Sequence, residues 1–350
     1  MNRKLLAALV GLVAAITLSA CGATQQVSQI FSVPCRPTTF KQVLWSPDGE
    51  LIAFQGGYYA NYPHLYLITP QGASVREVEI RPTTLLDLQW LPNSDGLAYT
   101  ENNAVVTIGF DGTTTSHALW YTANAGVRFS PDGQWIAYSR LSRGGAVAGI
   151  DRTNRDGNND VRLTAGSDVF YAWSPDSQRI AFTHRDGLKV YVSTIRVDGG
   201  GKRTLTEAAG NVSWSHDGRW LAFNPVTPRY AVRIVYAEGG GDQLITDDAD
   251  HGQYQWVPGS HAIAFLSATD QLLKVIDVQT LAIQTLSTIP AEWRISPAWS
   301  PDGGQVAFVG IDAAGGPNPV EELYVVNRDG TGLRRITDNP GKYNCFRWPF

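Results

Sequence analysis

Hydrophobic and polar positions follow one pattern along most of the chain. A short run ends in an aromatic residue, breaks at a polar turn and resumes as an apolar residue, alanine and an aromatic. The segments are VLWSPDGELIAF from 43, LQWLPNSDGLAY from 88, VRFSPDGQWIAY from 127, YAWSPDSQRIAF from 171, VSWSHDGRWLAF from 212, YQWVPGSHAIAF from 254 and PAWSPDGGQVAF from 297. Alternation with a period of two, bounded by Pro, Asp and Gly, predicts β-strands. A third run follows a variable loop, as in LYLIT at 65, VYVSTI at 190 and LYVVN at 323. A second turn, such as NRDG at 327, leads to a fourth run, such as RLT at 162 or RRIT at 334. Each unit is therefore read as four antiparallel strands, with inward and outward positions alternating most clearly in the second and third. No helical periodicity occurs beyond the first twenty residues.

The anchoring aromatics are Trp45, Trp90, Phe129, Trp173, Trp214, Trp256 and Trp299, successive anchors lying 39 to 45 residues apart. A period of about 40–45 with four strands per unit is the mark of a propeller blade. Seven such units predict an all-β fold, a seven-bladed β-propeller of four-stranded antiparallel blades. Each anchor is expected to wedge between neighbouring blades, because a large ring fills the gap between twisted sheets. In SPDG, Pro presets the first central position, Asp favours the second and Gly takes the left-handed one. Ser177 and Ser260 stand where Gly stands elsewhere, so those two turns should be strained or of another type. Asp48, Asp132, Asp176, Asp217 and Asp302 occupy these corners and read as turn-formers, since corners on separate blades diverge.

The pattern WSPDG-x-x-[IL]-AF, with a later [IL]-Y-[VL] and a DG turn, resembles the PD40 repeat, the WD40-like unit of TolB-type propellers. The resemblance covers nearly all of the chain after residue 40 and implies the propeller fold, with binding of a protein or peptide in the cell envelope. TolB-type proteins carry an α/β domain ahead of six blades. Here seven units begin within about twenty residues of Cys21, leaving no room for such a domain between Cys21 and Lys41. The same blade occurs in relatives of prolyl oligopeptidase, whose hydrolase domain uses Gly-x-Ser-x-Gly, a motif found nowhere in this sequence.

The first residues add an address. Arg3 and Lys4 precede the apolar run LLAALVGLVAAITL, then Leu-Ser-Ala-Cys. The run is short for a membrane span and fits a secretory signal. Its end resembles the bacterial lipobox, which implies cleavage before Cys21 and acylation of that residue. The expected domains are a lipoprotein signal peptide at 1–20, a lipid-anchored tether with an N-terminal closing segment at 21–40, and the propeller with a C-terminal closing strand at 41–350. Lipid on Cys21 would hold the protein on the non-cytoplasmic side of a membrane. In a diderm this would be the outer membrane, facing the periplasm; in a monoderm, the outer leaflet of the plasma membrane. That compartment is oxidising, and Cys35 and Cys345 remain as an even pair, so a disulfide between them is expected.

Composition narrows the partners. A net charge of −4 with 17% charged residues gives no polybasic footprint for nucleic acid. Six histidines show no paired ligand spacing, and DDADH at 247 and NRDGNND at 154 read as turns, so neither metal nor cofactor is expected. Loops between second and third strands and between blades vary most and share one face, which is where function is usually carried. The candidate ligand-binding residues there are Tyr58, Tyr59, Tyr62 and His64; Arg229 and Tyr230; Asp250 and His251; and Trp293 and Arg294. Aromatics with arginines around a concave mouth suit a protein, a peptide or a wall component. No catalytic residue is assigned. The alternative is a propeller lyase or hydrolase acting on an envelope polysaccharide or peptide, with His64, His184 or His251 and a tyrosine as the acid–base pair; it requires those groups to converge in one pocket.

Overall fold

The structure is a computed structural model. It describes residues 40–56, 64–73, 76–78, 86–101, 104–119, 126–208, 210–228, 230–292, 295–312 and 320–337. The expected signal peptide, tether, Cys21, Cys35, Cys345 and terminal closing segments lie outside these residues.

Seven four-stranded antiparallel sheets follow one another along the chain. The first blade comprises β1 Phe40–Trp45, β2 Ile52–Gly56, β3 His64–Ile68 and β4 Arg76–Val78. The second comprises β5 Leu86–Trp90, β6 Gly96–Glu101, β7 Ala104–Gly109 and β8 Thr114–Ala118. The third comprises β9 Val127–Phe129, β10 Trp135–Leu141, β11 Val147–Asn154 and β12 Val161–Arg162. The fourth comprises β13 Val169–Trp173, β14 Arg179–Asp186, β15 Lys189–Arg196 and β16 Arg203–Glu207. The fifth comprises β17 Gly210–Trp214, β18 Trp220–Asn224, β19 Val232–Tyr236 and β20 Gln243–Thr246. The sixth comprises β21 Ala249–Trp256, β22 Ala262–Ser267, β23 Leu273–Asp277 and β24 Ile283–Thr285. The seventh comprises β25 Ala298–Trp299, β26 Gln305–Asp312, β27 Val320–Asn327 and β28 Arg334–Arg335.

First strands meet first strands around the ring: β1 contacts β5, β5 contacts β9, and so on through β21, while β25 contacts β1. They form the inner wall. Each blade is a meander, so its first and third turns lie on one face of the ring. The loops between second and third strands and between blades lie on the other.

The second strands are buried on both sides, where inward and outward alternation alone would leave one side wet. The reason is that each blade is sandwiched between two others, and the alternation separates two seams. Ile52 and Phe54 pack toward blade seven, while Ala53 packs toward blade two. Leu97 and Tyr99 pack back toward blade one and Ala98 forward toward blade three. The same holds through Val306, Phe308 and Ala307. Alanine lets the next blade approach closely, and the larger pair fills the seam behind. Burying one such large side chain contributes about 1.5–3 kcal/mol. The anchoring aromatics join the same seams, each against the preceding blade. Trp90 Nε1 donates to Leu44 O at 3.2 Å and Trp173 Nε1 to Arg128 O at 3.0 Å.

The corner aspartates are turn-formers. Ser130 Oγ donates to Asp132 Oδ1 at 2.5 Å and accepts from Trp135 N at 3.0 Å, while Gln134 N donates to the same carboxylate oxygen at 3.1 Å. Ser46–Asp48, Ser174–Asp176, Ser215–Asp217 and Ser300–Asp302 repeat this grip. Ser177 keeps the turn type by adopting φ 61°, and its Oγ accepts from Asp132 N of the neighbouring blade at 3.1 Å. Ser94, at φ 60°, does the same for Asp48 N. Ser260 belongs to a different turn, in which the left-handed residue is Gly259.

Within the described residues every blade is built from four consecutive strands, and blades seven and one meet through packing and hydrogen bonds. Phe40, Val43, Ile52 and Phe54 share one core cluster with Ala307, Val309, Leu323 and Val325. Phe40 N donates to Glu321 Oε2 at 2.8 Å and Arg334 Nη2 to Pro70 O at 2.9 Å across the same seam.

Candidate functional site

The loop face carries one cluster that joins candidates from two separate loops. On β21, Ala249 pairs with Ser267 and Tyr254 with Phe265, so residues 250–253 form a wide bulge. His251 at φ 48° and Gly252 at φ 68° turn the chain outward there. A bulge of this kind re-aims a side chain and interrupts pairing. His251 is thereby exposed, and its Nδ1 lies 2.5 Å from Asp250 Oδ1. The Tyr230 ring, from the loop between β18 and β19, lies 5.2 Å from the His251 ring at 44°.

Asn224 holds the two segments together. It is 6% exposed, and its Nδ2 donates to Ala231 O at 2.8 Å and to Gly252 O at 3.3 Å. A Cβ on Gly252 would stand 2.8 Å from the Asn224 amide, so the bulge needs glycine for both its φ and its closeness. Tyr254 braces the base, its hydroxyl hydrogen shared between Ala222 O at 2.7 Å and Asn211 O. Burial raises the Tyr254 phenol's pKa.

The other candidates are not gathered here. His64 begins β3 and sits at the outer part of blade one, its Nδ1 2.6 Å from Glu77 Oε1 of β4. His184 lies at the seam of blades three and four, its Nδ1 2.6 Å from buried Asp168, with Lys202 Nζ 3.4 Å from the other oxygen of that carboxylate. The three histidines of the enzymatic alternative thus stand on blades one, four and six, each with its own carboxylate. Tyr58, Tyr59, Tyr62, Arg229, Trp293 and Arg294 lie outside the described residues. Arg140, another loop-face cation, is committed to buried Asp151 at 2.5 Å.

Among the described residues, two hollows border the first strands of neighbouring blades. One of about 460 Å³ lies at the turn face, walled by Pro47, Pro92 and Pro131 of three turns, by Trp90, Phe129 and Trp173, and by Arg128. Arg128 Nη1 is 3.3 Å from Asp87, a residue at φ 51° in the bulged start of β5. The second hollow, about 310 Å³, lies among β1, Gln255 and residues 296–299.

Comparison with known proteins agrees with this architecture. A candidate TolB from Agrobacterium tumefaciens superposes with a TM-score of 0.51 at 20% identity, over 75% of this chain and 97% of that one. The likeness is one of fold, a β-propeller. The β-propeller domain of the trilobed protease from Pyrococcus furiosus, described as having an open velcro topology, gives a TM-score of 0.60 at 11% identity over 87% of this chain and 99% of that one. A puromycin-hydrolyzing peptidase of Mycobacterium tuberculosis gives 0.60 at 16% identity over 87% of this chain, which spans 55% of the peptidase. In sequence, an uncharacterized protein of Agrobacterium fabrum is 28% identical over 198 residues, 51% of this chain and 67% of its own. No family model matches the chain.

Two features of the site escaped the sequence reading. Asn224 heads the loop NPVTPRY, and its burial follows from its place at the end of an otherwise apolar strand. The bulge at 250–253 leaves no trace in the repeat length, since Trp214 and Trp256 keep the ordinary spacing.

Proposed function

We propose that this chain is a lipid-anchored binding scaffold of the cell envelope, held by Cys21, that takes a protein or peptide partner on its loop face at Tyr230, Asp250 and His251. The observation that carries this reading is the bulge on β21. It holds an exposed imidazole beside an exposed phenol ring on a buried amide support. Tyr and His offer apolar area and hydrogen-bonding tips at small entropic loss, which suits an interface hot spot. The likeness to TolB-type propellers supports a protein partner, and the lipobox resemblance supports the envelope address. Tyr58, Tyr59, Tyr62, Arg229, Trp293 and Arg294, outside the described residues, are the further candidates for this surface.

The test is cross-linking and pull-down from the native membrane with the full chain and with Tyr230→Ala/His251→Ala. A turn-face variant, Gln134→Ala, serves as control. Loss of a recovered partner in the loop-face variant alone supports the assignment; equal recovery from all three removes it. Metabolic labelling with a fatty acid analogue tests the anchor, which Cys21→Ser should abolish.

A further inference from the structure

Ten Asp–Gly steps lie in the chain, and the fold treats one of them differently from the rest. An Asp–Gly step carries its own chemistry. The glycine amide nitrogen can attack the aspartate Cγ, because no Cβ on glycine hinders the approach. A hairpin corner prevents this by holding both reacting groups. At Asp132, Oδ1 accepts from Ser130 Oγ at 2.5 Å and from Gln134 N at 3.1 Å, while Gly133 N donates to Ser130 O at 2.8 Å. The carboxylate and the amide are thus fixed by different atoms and turned to different tasks. The same double hold recurs at Asp48, Asp111, Asp198, Asp217, Asp302 and Asp329, each accepting from a backbone N–H two residues on while its glycine N–H closes the turn. Asp95 is held by Asn93 Nδ2 at 2.5 Å, and Gly96 is buried in β6. Asp156 is held on one side only: its carboxylate has no hydrogen bond among the described residues, but Gly157 N donates to Asn154 O at 3.0 Å.

Asp186–Gly187 has neither hold. Asp186 ends β14 and pairs with Lys189 of β15, so Gly187 and Leu188 form a two-residue hairpin turn. Gly187 has φ 58° at the first position, the arrangement of a type II′ turn, and Leu188 is 97% exposed at the second. The exposed Asp186 carboxylate makes no hydrogen bond or ion pair among the described residues, and the Gly187 N–H donates to no group among them. Ring closure there has to loosen only the last pair of the ladder, at the end where strands fray. Breaking one hydrogen bond before reaction slows a step about tenfold, and breaking two or three slows it about a hundredfold or more.

We propose that Asp186–Gly187, at the tip of the β14–β15 hairpin, is a site of spontaneous isoaspartate formation and hence a substrate for an isoaspartyl methyltransferase. The Gly187 nitrogen forms a bond to Asp186 Cγ and gives up its proton, and the carboxyl group loses an oxygen as water. The product is a five-membered succinimide. Water then adds to one of its two carbonyls and breaks that carbon's bond to nitrogen. Breakage at Cγ restores aspartate; breakage at the main-chain carbonyl leaves the chain linked through Cγ, with the old main-chain carbonyl as a free carboxylate. No oxidant, metal or second reactant is needed. The new linkage adds a methylene to the backbone of the turn, so the Asp186–Lys189 pair is lost and Leu188 is re-aimed on the loop face. The site depends on neither the lipid on Cys21 nor the cluster at Tyr230 and His251.

The experiment ages the purified full chain at neutral pH and 37 °C. Isoaspartate is read by peptide mapping and by methyl transfer from labelled S-adenosylmethionine with an isoaspartyl methyltransferase. The Asp186 peptide should convert first, the Asp156 peptide about tenfold more slowly, and the Asp132 and Asp217 peptides about a hundredfold more slowly. In guanidinium-unfolded chain the ranking should collapse, because every step then has the same freedom. Asp186→Asn should reach the same succinimide faster, releasing ammonia in place of water. Asp186→Glu should give no product at this peptide, since its longer side chain would need a six-membered ring. Ser130→Ala, with folding checked by its thermal midpoint, should raise conversion at Asp132 about tenfold and leave Asp217 as in the parent. Conversion of Asp132 or Asp217 as fast as Asp186 in the folded chain, absence of isoaspartate at 186, or an unchanged ranking in guanidinium overturns the proposal.

Discussion

The turn glycines should differ in their tolerance of alanine, and the difference measures how the blades abut. Gly49 has φ 81°, and a Cβ there would meet nothing nearer than Pro301 Cδ at 3.7 Å. Gly303 has φ 68°, but its Cβ would stand 2.2 Å from Pro258 O, a backbone atom of blade six. The contrast follows from the turns behind them. Gly133 and Gly218 face the proline rings of preceding SPDG-like turns at 3.5 Å and 3.8 Å. The VPGS turn of blade six is of another type, and it directs its Pro258 carbonyl at Gly303. For Gly49→Ala only the left-handed strain counts, about 1–2 kcal/mol. The stiffer unfolded chain offsets part of it, about 0.4–1 kcal/mol. A net loss of about 1 kcal/mol is expected. For Gly303→Ala the same strain applies, and the overlap must be relieved by shifting one blade's turn against another. Overpacking of this kind costs a further 1–3 kcal/mol or so. Urea unfolding of both variants, compared at matched slope, measures the gap. Losses agreeing within about 0.5 kcal/mol would refute the account of the seam between blades six and seven.

Ser177→Gly should leave stability nearly unchanged, because relief of left-handed strain balances loss of the bond from Asp132 N. Ser177→Ala keeps the strain, loses the bond and should cost about 1 kcal/mol in urea unfolding. Asp151→Ala should cost about 1–3 kcal/mol by thermal or urea unfolding, since it strips Arg140 and Arg162 of a buried partner while leaving both able to reach water. Acid sensitivity should come partly from the corner carboxylates. Hydrogen bonds from Ser300 Oγ and Gly304 N hold Asp302 below the usual carboxylate range. Partial burial pushes Asp48 and Asp217 upward, but their serine and backbone donors outweigh it and both are lowered. A lowered folded-state pKa gives stability that is complete above the unfolded value near 3.8 and lost as pH falls below it. Stability measured from pH 5 down should therefore fall less steeply in Ser46→Ala/Ser300→Ala than in the parent.

The repeat was legible because each blade must solve the same local problem. A hairpin corner needs Pro, Asp and a left-handed residue, and a strand sealed between two blades needs large and small apolar positions in alternation. Those requirements recur at fixed spacing, so Trp45 through Trp299 announce the ring. What the sequence did not disclose is relational. Ile52, Ala53 and Phe54 spell a strand, but their assignment to two different seams follows only once neighbours exist on both sides. Ser177 looked like a flawed glycine, yet its hydroxyl serves the next corner. His251 and Tyr230 lay in different loops, and their meeting depends on Asn224 and on a bulge that changes no repeat length. His64 and His184 had the same chemical promise and were drawn instead to Glu77 and Asp168 of their own surroundings.

Regularity and irregularity are divided between the two faces for a physical reason. On the turn face each corner touches its neighbour, as Ser94 and Ser177 show by accepting from the corners beside them. A change in one corner must then be matched in the next, which the Pro258 and Gly303 pair illustrates. Loops on the opposite face begin beyond the last ladder bonds, and their length and composition differ from blade to blade. The inner wall lies between these limits. Its strands are held by both neighbours, and their side chains reach into the adjacent blades. A polar group there is satisfied only if the adjacent strand presents a partner at the right height. Gln89 meets that condition through Val127 O and Phe129 N, whereas Gln255, beside the two-residue strand Ala298–Trp299, leaves its buried Oε1 without a partner among the described residues.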